Sequence, residues 1–145
     1  MSRKNIKTIT AAILAFISLF FGSKYFKSSG EFEGVLSRGS IAELYSSRLS
    51  GEMVEFEGLV VKILSDDLKG SRHQRFIVKV SSNHTVLIAH NIDIAPRVPL
   101  KKGSAVHIYG QYEWNDKGGV VHWTHRDTIG QHEEGWIKFE GKIYE

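Results

Sequence analysis

From Met53 onward, the chain is a series of short segments in which apolar and polar residues alternate, separated by turns rich in glycine, asparagine and aspartate. A period of two predicts strands with one buried face. The predicted strands are MVEFEGLVVKIL, HQRFIVKV, TVLIAH, the second half of LKKGSAVHIYGQYEW, and VVHWTH. Gly58 predicts a bend or bulge in the first strand. Five short strands predict a mainly β fold, a small OB-like closed barrel, with an open antiparallel sheet as the alternative.

One helix is predicted immediately before the strands. Ser40 and Glu43 have the spacing of a capping box. In a capping box, the serine side chain accepts a hydrogen bond from a backbone N–H of the first helical turn, and the glutamate side chain accepts one from the backbone N–H of the serine. Apolar Ile41 and Leu44 then share one face, and Gly51 is expected to end the helix. The helix is expected to pack against the barrel.

The N-terminal segment, residues 1–26, is basic at its start and uncharged from Ile9 to Phe21. This pattern predicts a signal-anchor, or alternatively a cleaved signal peptide, with residues 27–39 as a linker and 40–145 as the OB-like domain. The membrane is therefore an expected partner. The expected location is the bacterial inner membrane, single-pass with the domain outside the cytoplasm, or the periplasm if the signal is cleaved.

The charge of the domain itself is close to zero. The net charge is +3, but residues 1–26 hold four basic residues and no acidic one, so the remainder carries −1. This balance argues against a general electrostatic coat for nucleic acid. The chain has no cysteine, so disulfides and thiolate metal sites are excluded.

The stretch HWTHRD, residues 122–127, is the first candidate site. If the strand continued, His122 and Thr124 would face one side, and Trp123 and His125 the other. A simple two-histidine metal site would then need a bend after Trp123. His125 and Asp127 would share a side, which suits a general base and the carboxylate that orients it. The structural alternative is a buried, hydrogen-bonded histidine.

Two further stretches, HNIDIAPR and HQRF, carry candidate residues near strand ends. His90 is expected at the inner end of the third strand, with Asn91 and Asp93 where the chain leaves the sheet. His73 and Arg75 share a face of the second strand, and arginine is a natural clamp for phosphate. The alternatives are turn formers and a solvated strand face. His132 lies in a predicted loop that is able to fold over a site.

Several motifs together carry a family resemblance. HQRF (73–76), HNIDIAPR (90–97), YEWN (112–115) and HWTH (122–125) resemble a bacterial family of unknown function defined by its HWTH motif. That resemblance implies no established activity. GLVVKILSDDLKG followed by LIAHNIDIAPR is also similar, more weakly, to staphylococcal-type thermonucleases, which are OB barrels. Arg97 stands where that family has an acidic residue after the proline, a departure from its catalytic pattern.

The favoured function is hydrolysis of phosphodiesters. The assigned roles are His125 with Asp127 as base and orienting partner, His73 and Arg75 as further catalytic residues, His90, Asp93 and His122 as metal ligands, and Asn91, Arg97 and Trp123 as binding residues. The cofactor stays open, with a divalent metal ion as the candidate. The alternatives are a non-catalytic module that binds nucleic acid or glycan through aromatic rings, and an envelope assembly partner with a buried polar network. A hydrolase should gather five residues around one cleft: His73, His90, His122, His125 and Asp93.

Overall fold

The structure is a computed structural model that describes residues 40–145, and this part of the chain is mainly β with one short helix. The predicted membrane segment and linker lie outside the described residues. Between residues 40 and 145, no helix has the length and apolar character needed to cross a membrane.

Helix α1 spans Ile41–Ser47. The predicted capping box at its start is confirmed: Ser40 Oγ accepts a hydrogen bond from the N–H of Ala42 at 3.2 Å, and the Glu43 carboxylate accepts one from the N–H of Ser40 at 3.1 Å. The predicted end at Gly51 is wrong. Arg48 adopts a left-handed conformation with φ 53°, and the N–H groups of Arg48 and Leu49 close the last turn on helix carbonyls.

Seven strands follow the helix. They are β1 (Glu52–Ile63), β2 (His73–Lys79), β3 (Thr85–Asn91), β4 (Ala105–Glu113), β5 (Val120–His122), β6 (Trp136–Phe139) and β7 (Lys142–Tyr144). The first five are the predicted strands. The hairpin β6–β7 was not predicted, although Glu140 and Gly141, both with positive φ, form the kind of two-residue turn that joins adjacent strands.

The first five strands close into a barrel in the order β1-β2-β3-β5-β4, with β4 returning to pair with β1. Strands β3 and β5 are parallel, and the other neighbours are antiparallel. The predicted OB-like barrel is therefore confirmed. The hairpin β6–β7 extends the sheet from β4.

The long first strand closes the barrel by changing its partner midway. Its first part, up to Leu59, pairs with β4, and its second part, from Leu59 onward, pairs with β2 through an irregularity between Val60 and Lys62. A Cβ atom at Gly58 would lie 2.7 Å from the carbonyl oxygen of Lys79. Only glycine therefore permits this close approach of β2, and the predicted bend lies just beyond it.

The barrel interior is filled by apolar side chains from every barrel strand. Its fully buried members include Val54, Phe76, Ile88, Ile108, Tyr112 and Val121. These residues occupy alternate positions of their strands, as the period of two predicts. The filled interior means that any ligand must bind at a barrel end or on the outer surface.

Candidate functional site

Four histidines line one cleft at the end of the barrel where β2 begins and where β3 and β5 end. They are His73, His122, His125 and His132, and the cleft has a volume of about 290 Å³. Three other residues of the predicted site, Asn91, Trp123 and Asp127, line the same cleft. The structure thus gathers much of the predicted set. His132, which the sequence placed only in a covering loop, lies in the wall of the cleft.

The fifth strand ends earlier than predicted, and this ending builds the cleft. Strand β5 stops at His122 because Trp123 takes a left-handed conformation with φ 52°. The predicted alternation through residue 125 is therefore wrong. The turn brings the segment after the strand back over the barrel end, so that His122 and His125 line the same cleft. A left-handed tryptophan is unusual, and no local sequence signal announces it.

Three of the four imidazoles are held in the same way. The Nδ1 atoms of His73, His125 and His132 lie 2.8, 2.7 and 2.8 Å from the backbone carbonyl oxygens of Ser71, Arg126 and Glu133. A carbonyl oxygen only accepts hydrogen bonds, so each Nδ1 carries the proton. In the neutral ring, Nε2 then keeps its lone pair. In their neutral forms the three imidazoles therefore carry the lone pair on the same nitrogen, Nε2.

Aromatic contacts join the cleft residues into a continuous group. The ring of Trp123 stacks on His132, with centroids 4.5 Å apart and an interplanar angle of 13°. His132 meets His125 edge to face at 5.0 Å, and His122 contacts Trp123 at 4.9 Å. Trp123 therefore contacts two of the imidazoles, those of His122 and His132, and holds the loop residue His132 against the barrel.

Burial disfavours the charged form of two cleft histidines. It lowers the pKa of His125 below the ordinary value of 6.5, and an opposing hydrogen bond to the Arg126 carbonyl only partly offsets this. Burial likewise lowers the pKa of His122, against the attraction of Glu113. The Nε2 atom of His122 is buried 3.7 Å from the Glu113 carboxylate, and no hydrogen-bond partner for it is found within residues 40–145.

Asp127 shapes the loop of the cleft. Its carboxylate accepts hydrogen bonds from the N–H groups of Ile129 at 3.0 Å and His132 at 2.8 Å. These bonds hold the pKa of Asp127 below its ordinary value. The orienting contact that the sequence assigned to Asp127 is instead made by the carbonyl of Arg126, to which His125 donates.

His90 is fully buried, and both its ring nitrogens have partners. Nδ1 lies 2.8 Å from Thr124 Oγ1, and Nε2 lies 3.1 Å from the carbonyl oxygen of Pro96. The carbonyl requires a proton on Nε2, so Nδ1 accepts the hydroxyl of Thr124. No lone pair is left for a metal ion. His90 instead fixes Thr124, which stands between the cleft residues Trp123 and His125.

The burial of His90 predicts that stability falls in mild acid. Burial lowers its pKa to about 4 from 6.5, with His125 and His73 adding repulsion. The unfolded chain binds this proton more readily than the folded chain does. The contribution of neutral His90 to the free energy of unfolding is therefore fully present above the unfolded pKa of His90 and falls as pH drops toward its folded pKa. The loss is on the order of 3 kcal/mol. The free energy of unfolding in urea is measured at neutral pH and at about pH 4.5. Its difference between the two pH values should be smaller in His90→Gln than in the unchanged chain. An equal difference in both would contradict this role for His90.

The remaining predicted residues lie away from the cleft. Asp93 accepts hydrogen bonds from the backbone and side chain of Arg72, both at 2.7 Å. Arg97 pairs with Asp66. Arg75 donates its Nε–H to the carbonyl of Ser65 at 2.9 Å. Each guanidinium therefore already has a partner outside the cleft.

The predicted metal set is not brought together. His122 lies in the cleft, His90 is buried with both nitrogens engaged, and Asp93 is bound to Arg72. Within residues 40–145, no three histidine, aspartate or glutamate side chains are placed to hold a metal ion. The three predicted ligands therefore lie in three different surroundings.

Comparison with known proteins gives a family for this chain. No match is found among curated proteins. One family model matches residues 28–145, which include the whole described domain. The chain therefore belongs to the family described as "Protein of unknown function (DUF3465)".

Proposed function

We propose that this protein is a phosphodiester hydrolase that works by acid–base catalysis with the imidazoles of the cleft. The observation that carries the proposal is the common orientation of His73, His125 and His132, whose Nδ1–H groups are all bound to backbone carbonyls. Imidazole transfers protons effectively near neutral pH. A single histidine serves many structural purposes, but several bases with the same nitrogen free, in one cleft, suit proton transfer.

Two imidazoles of the cleft lie side by side in different surroundings. Burial disfavours the charged form of His125, a residue that is 5% exposed. His132 lies instead on the face of Trp123, and its backbone N–H donates to the Asp127 carboxylate. The two rings, 5.0 Å apart, thus suit the base and the acid of one reaction.

The binding module has weaker support, because the aromatic rings do not form one platform. Tyr112 is fully buried, Trp114 packs against Tyr45 and Arg48, and Trp136 contacts His107 at the outer side of the barrel. Stacking of successive bases or sugars needs rings in a row along a groove. The histidine cleft is the more concentrated chemical feature.

The proposal includes a location. The basic start and the uncharged segment before the domain favour a single-pass protein of the bacterial inner membrane with the cleft outside the cytoplasm. Protease digestion of intact spheroplasts should remove the domain. Protection from protease until the membrane is broken would contradict this orientation.

The test of the proposed function is a diesterase assay with the full chain, purified in mild detergent. Bis(4-nitrophenyl) phosphate, DNA and RNA are supplied with EDTA, and separately with Mg²⁺ or Zn²⁺. Cleavage in EDTA is expected. His107→Gln is the control, because His107 pairs with Glu55 on the outer barrel surface. If none of the three diesters is cleaved, with or without metal, the proposed hydrolase function is refuted. Binding of nucleic acid without cleavage would favour the binding module.

The rate should depend on pH through the state of His125. A general base acts in its neutral form, so the rate falls as pH drops through the pKa of that base. Burial lowers this pKa below 6.5. The acidic limb of the profile of kcat/KM against pH is therefore expected below 6.5. A midpoint above that value would show that a different group is the base.

A further inference from the structure

The cleft offers no activated hydroxyl of its own. Within residues 40–145, the one hydrogen bond between a hydroxyl and an imidazole joins Thr124 to His90, and both side chains are 0% exposed. A substrate has no access to that hydroxyl. Ser71 and Thr128 also line the cleft, but neither hydroxyl is hydrogen-bonded to a ring nitrogen. The attacking oxygen must therefore come from the substrate or from water.

The cleft also holds no permanent positive charge. No arginine or lysine is found among the described residues that line it. The nearby Arg72 and Arg126 are paired with Asp93 and Glu145. Positive charge is available only when an imidazole is protonated. A singly charged diester suits such a cleft better than a doubly charged terminal phosphate.

A nucleophile within the substrate itself supplies the attacking oxygen. An oxygen already attached next to the phosphorus reacts with an effective concentration of roughly 10⁵–10⁸ M, far above that of water. Among phosphodiesters of nucleic acids, only those of RNA carry such an oxygen, the 2′-hydroxyl. It needs a base to take its proton and an acid to protonate the leaving oxygen.

We propose that the substrate is single-stranded RNA, cleaved by attack of its own 2′-hydroxyl with His125 as base and His132 as acid. This inference rests on the proposed hydrolase function and names its substrate class. Ile94 and Ile129, which are 43% and 72% exposed, line the same cleft and supply apolar surface for unstacked bases.

The step balances without a metal ion or a co-reactant. His125 Nε2 takes the proton of the 2′-hydroxyl, the P–O2′ bond forms and the P–O5′ bond breaks. The His132 imidazolium gives its Nε2 proton to the leaving 5′ oxygen. The products are a 2′,3′-cyclic phosphate and a free 5′-hydroxyl. Solvent then restores the starting protonation states, or the two rings exchange roles while water opens the cyclic phosphate.

The substrate claim is tested with a DNA oligonucleotide that carries a single ribonucleotide, in EDTA, using the full chain. Cleavage is expected only on the 3′ side of that ribonucleotide, at least about 100-fold faster than anywhere in the all-DNA control. Mass spectrometry should detect the 2′,3′-cyclic phosphate. Equal cleavage of the all-DNA strand, or products that never pass through the cyclic phosphate, would overturn the inference and leave the diesterase standing. Cleavage of no diester at all would refute both.

The role of His132 is tested by changing the leaving group. 4-Nitrophenolate leaves without protonation, so a missing acid matters little for uridine 3′-(4-nitrophenyl phosphate). His132→Asn is expected to slow cleavage of RNA by about 100-fold or more and cleavage of the nitrophenyl ester by only a few-fold. His125→Asn should slow both. An equal loss on both substrates in His132→Asn would overturn its assignment as the acid. Circular dichroism and tryptophan fluorescence check that each variant is folded.

Discussion

Replacement of His125 by asparagine is expected to lower the rate of diester cleavage by about 10²–10⁴-fold. The histidine donates its Nδ1–H to the carbonyl of Arg126 at 2.7 Å. The amide N–H of asparagine is able to keep this bond, but asparagine has no atom that replaces Nε2. The substitution therefore isolates the nitrogen to which the reaction is assigned. The measurement is kcat/KM on a ribonucleotide-containing strand.

Two comparisons separate chemistry from folding in this experiment. In the parent chain, His107 pairs with Glu55 on the outer barrel surface. The variant His107→Gln removes that imidazole and should retain the parent rate. The midpoint of thermal unfolding of His125→Asn should stay within a few degrees of that of the parent. An unchanged rate in folded His125→Asn would show that His125 is a structural residue.

Replacement of Gly135 by alanine is expected to lower the free energy of unfolding by about 3 kcal/mol. A Cβ atom there would lie 2.1 Å from the carbonyl oxygen of Trp123 and 2.5 Å from that of Tyr109. Both are backbone atoms, so no rotation of a side chain relieves the contact. Gly135 also donates its N–H to the carbonyl of His125 at 3.0 Å. The strain therefore falls directly on the segment that forms the cleft.

Thermal unfolding checks this expectation, with a fall in midpoint of roughly 10 °C or more for a domain of this size. Gly130→Asn is the matched control in the same loop. Gly130 has φ +72°, which asparagine tolerates, and a Cβ atom there meets nothing within 4 Å. This variant should unfold close to the parent midpoint. Equal midpoints for Gly135→Ala and Gly130→Asn would mean that the backbone shifts without cost.

Much of the fold followed from local patterns. Alternation fixes which face of each strand is buried, and the buried positions of β2 and β4 follow it residue by residue. The capping box at Ser40 was equally readable, because its bonds join residues two and three apart in the chain. The turn at Glu140 and Gly141 was also a local signal, which the prediction left unused.

The candidate site was only partly predictable. Histidines near strand ends were recognisable, and His73, His122 and His125 do line one cleft. The inclusion of His132 depends on its stacking with Trp123, nine residues earlier in the chain. The left-handed conformation of Trp123, which ends β5, has no counterpart in the alternation of the sequence.

Sequence alone determined the positions of the first five strands, their buried faces, the helix start and the residue types available for proton transfer, because these depend on neighbours a few positions apart. The tertiary structure alone decided that His90 is a buried positioning residue, held between Thr124 and Pro96, and that Asp93 is bound to Arg72. It also decided which carbonyl orients each imidazole. Such contacts join segments distant in sequence, and packing of the closed barrel selects among many chemically equivalent partners.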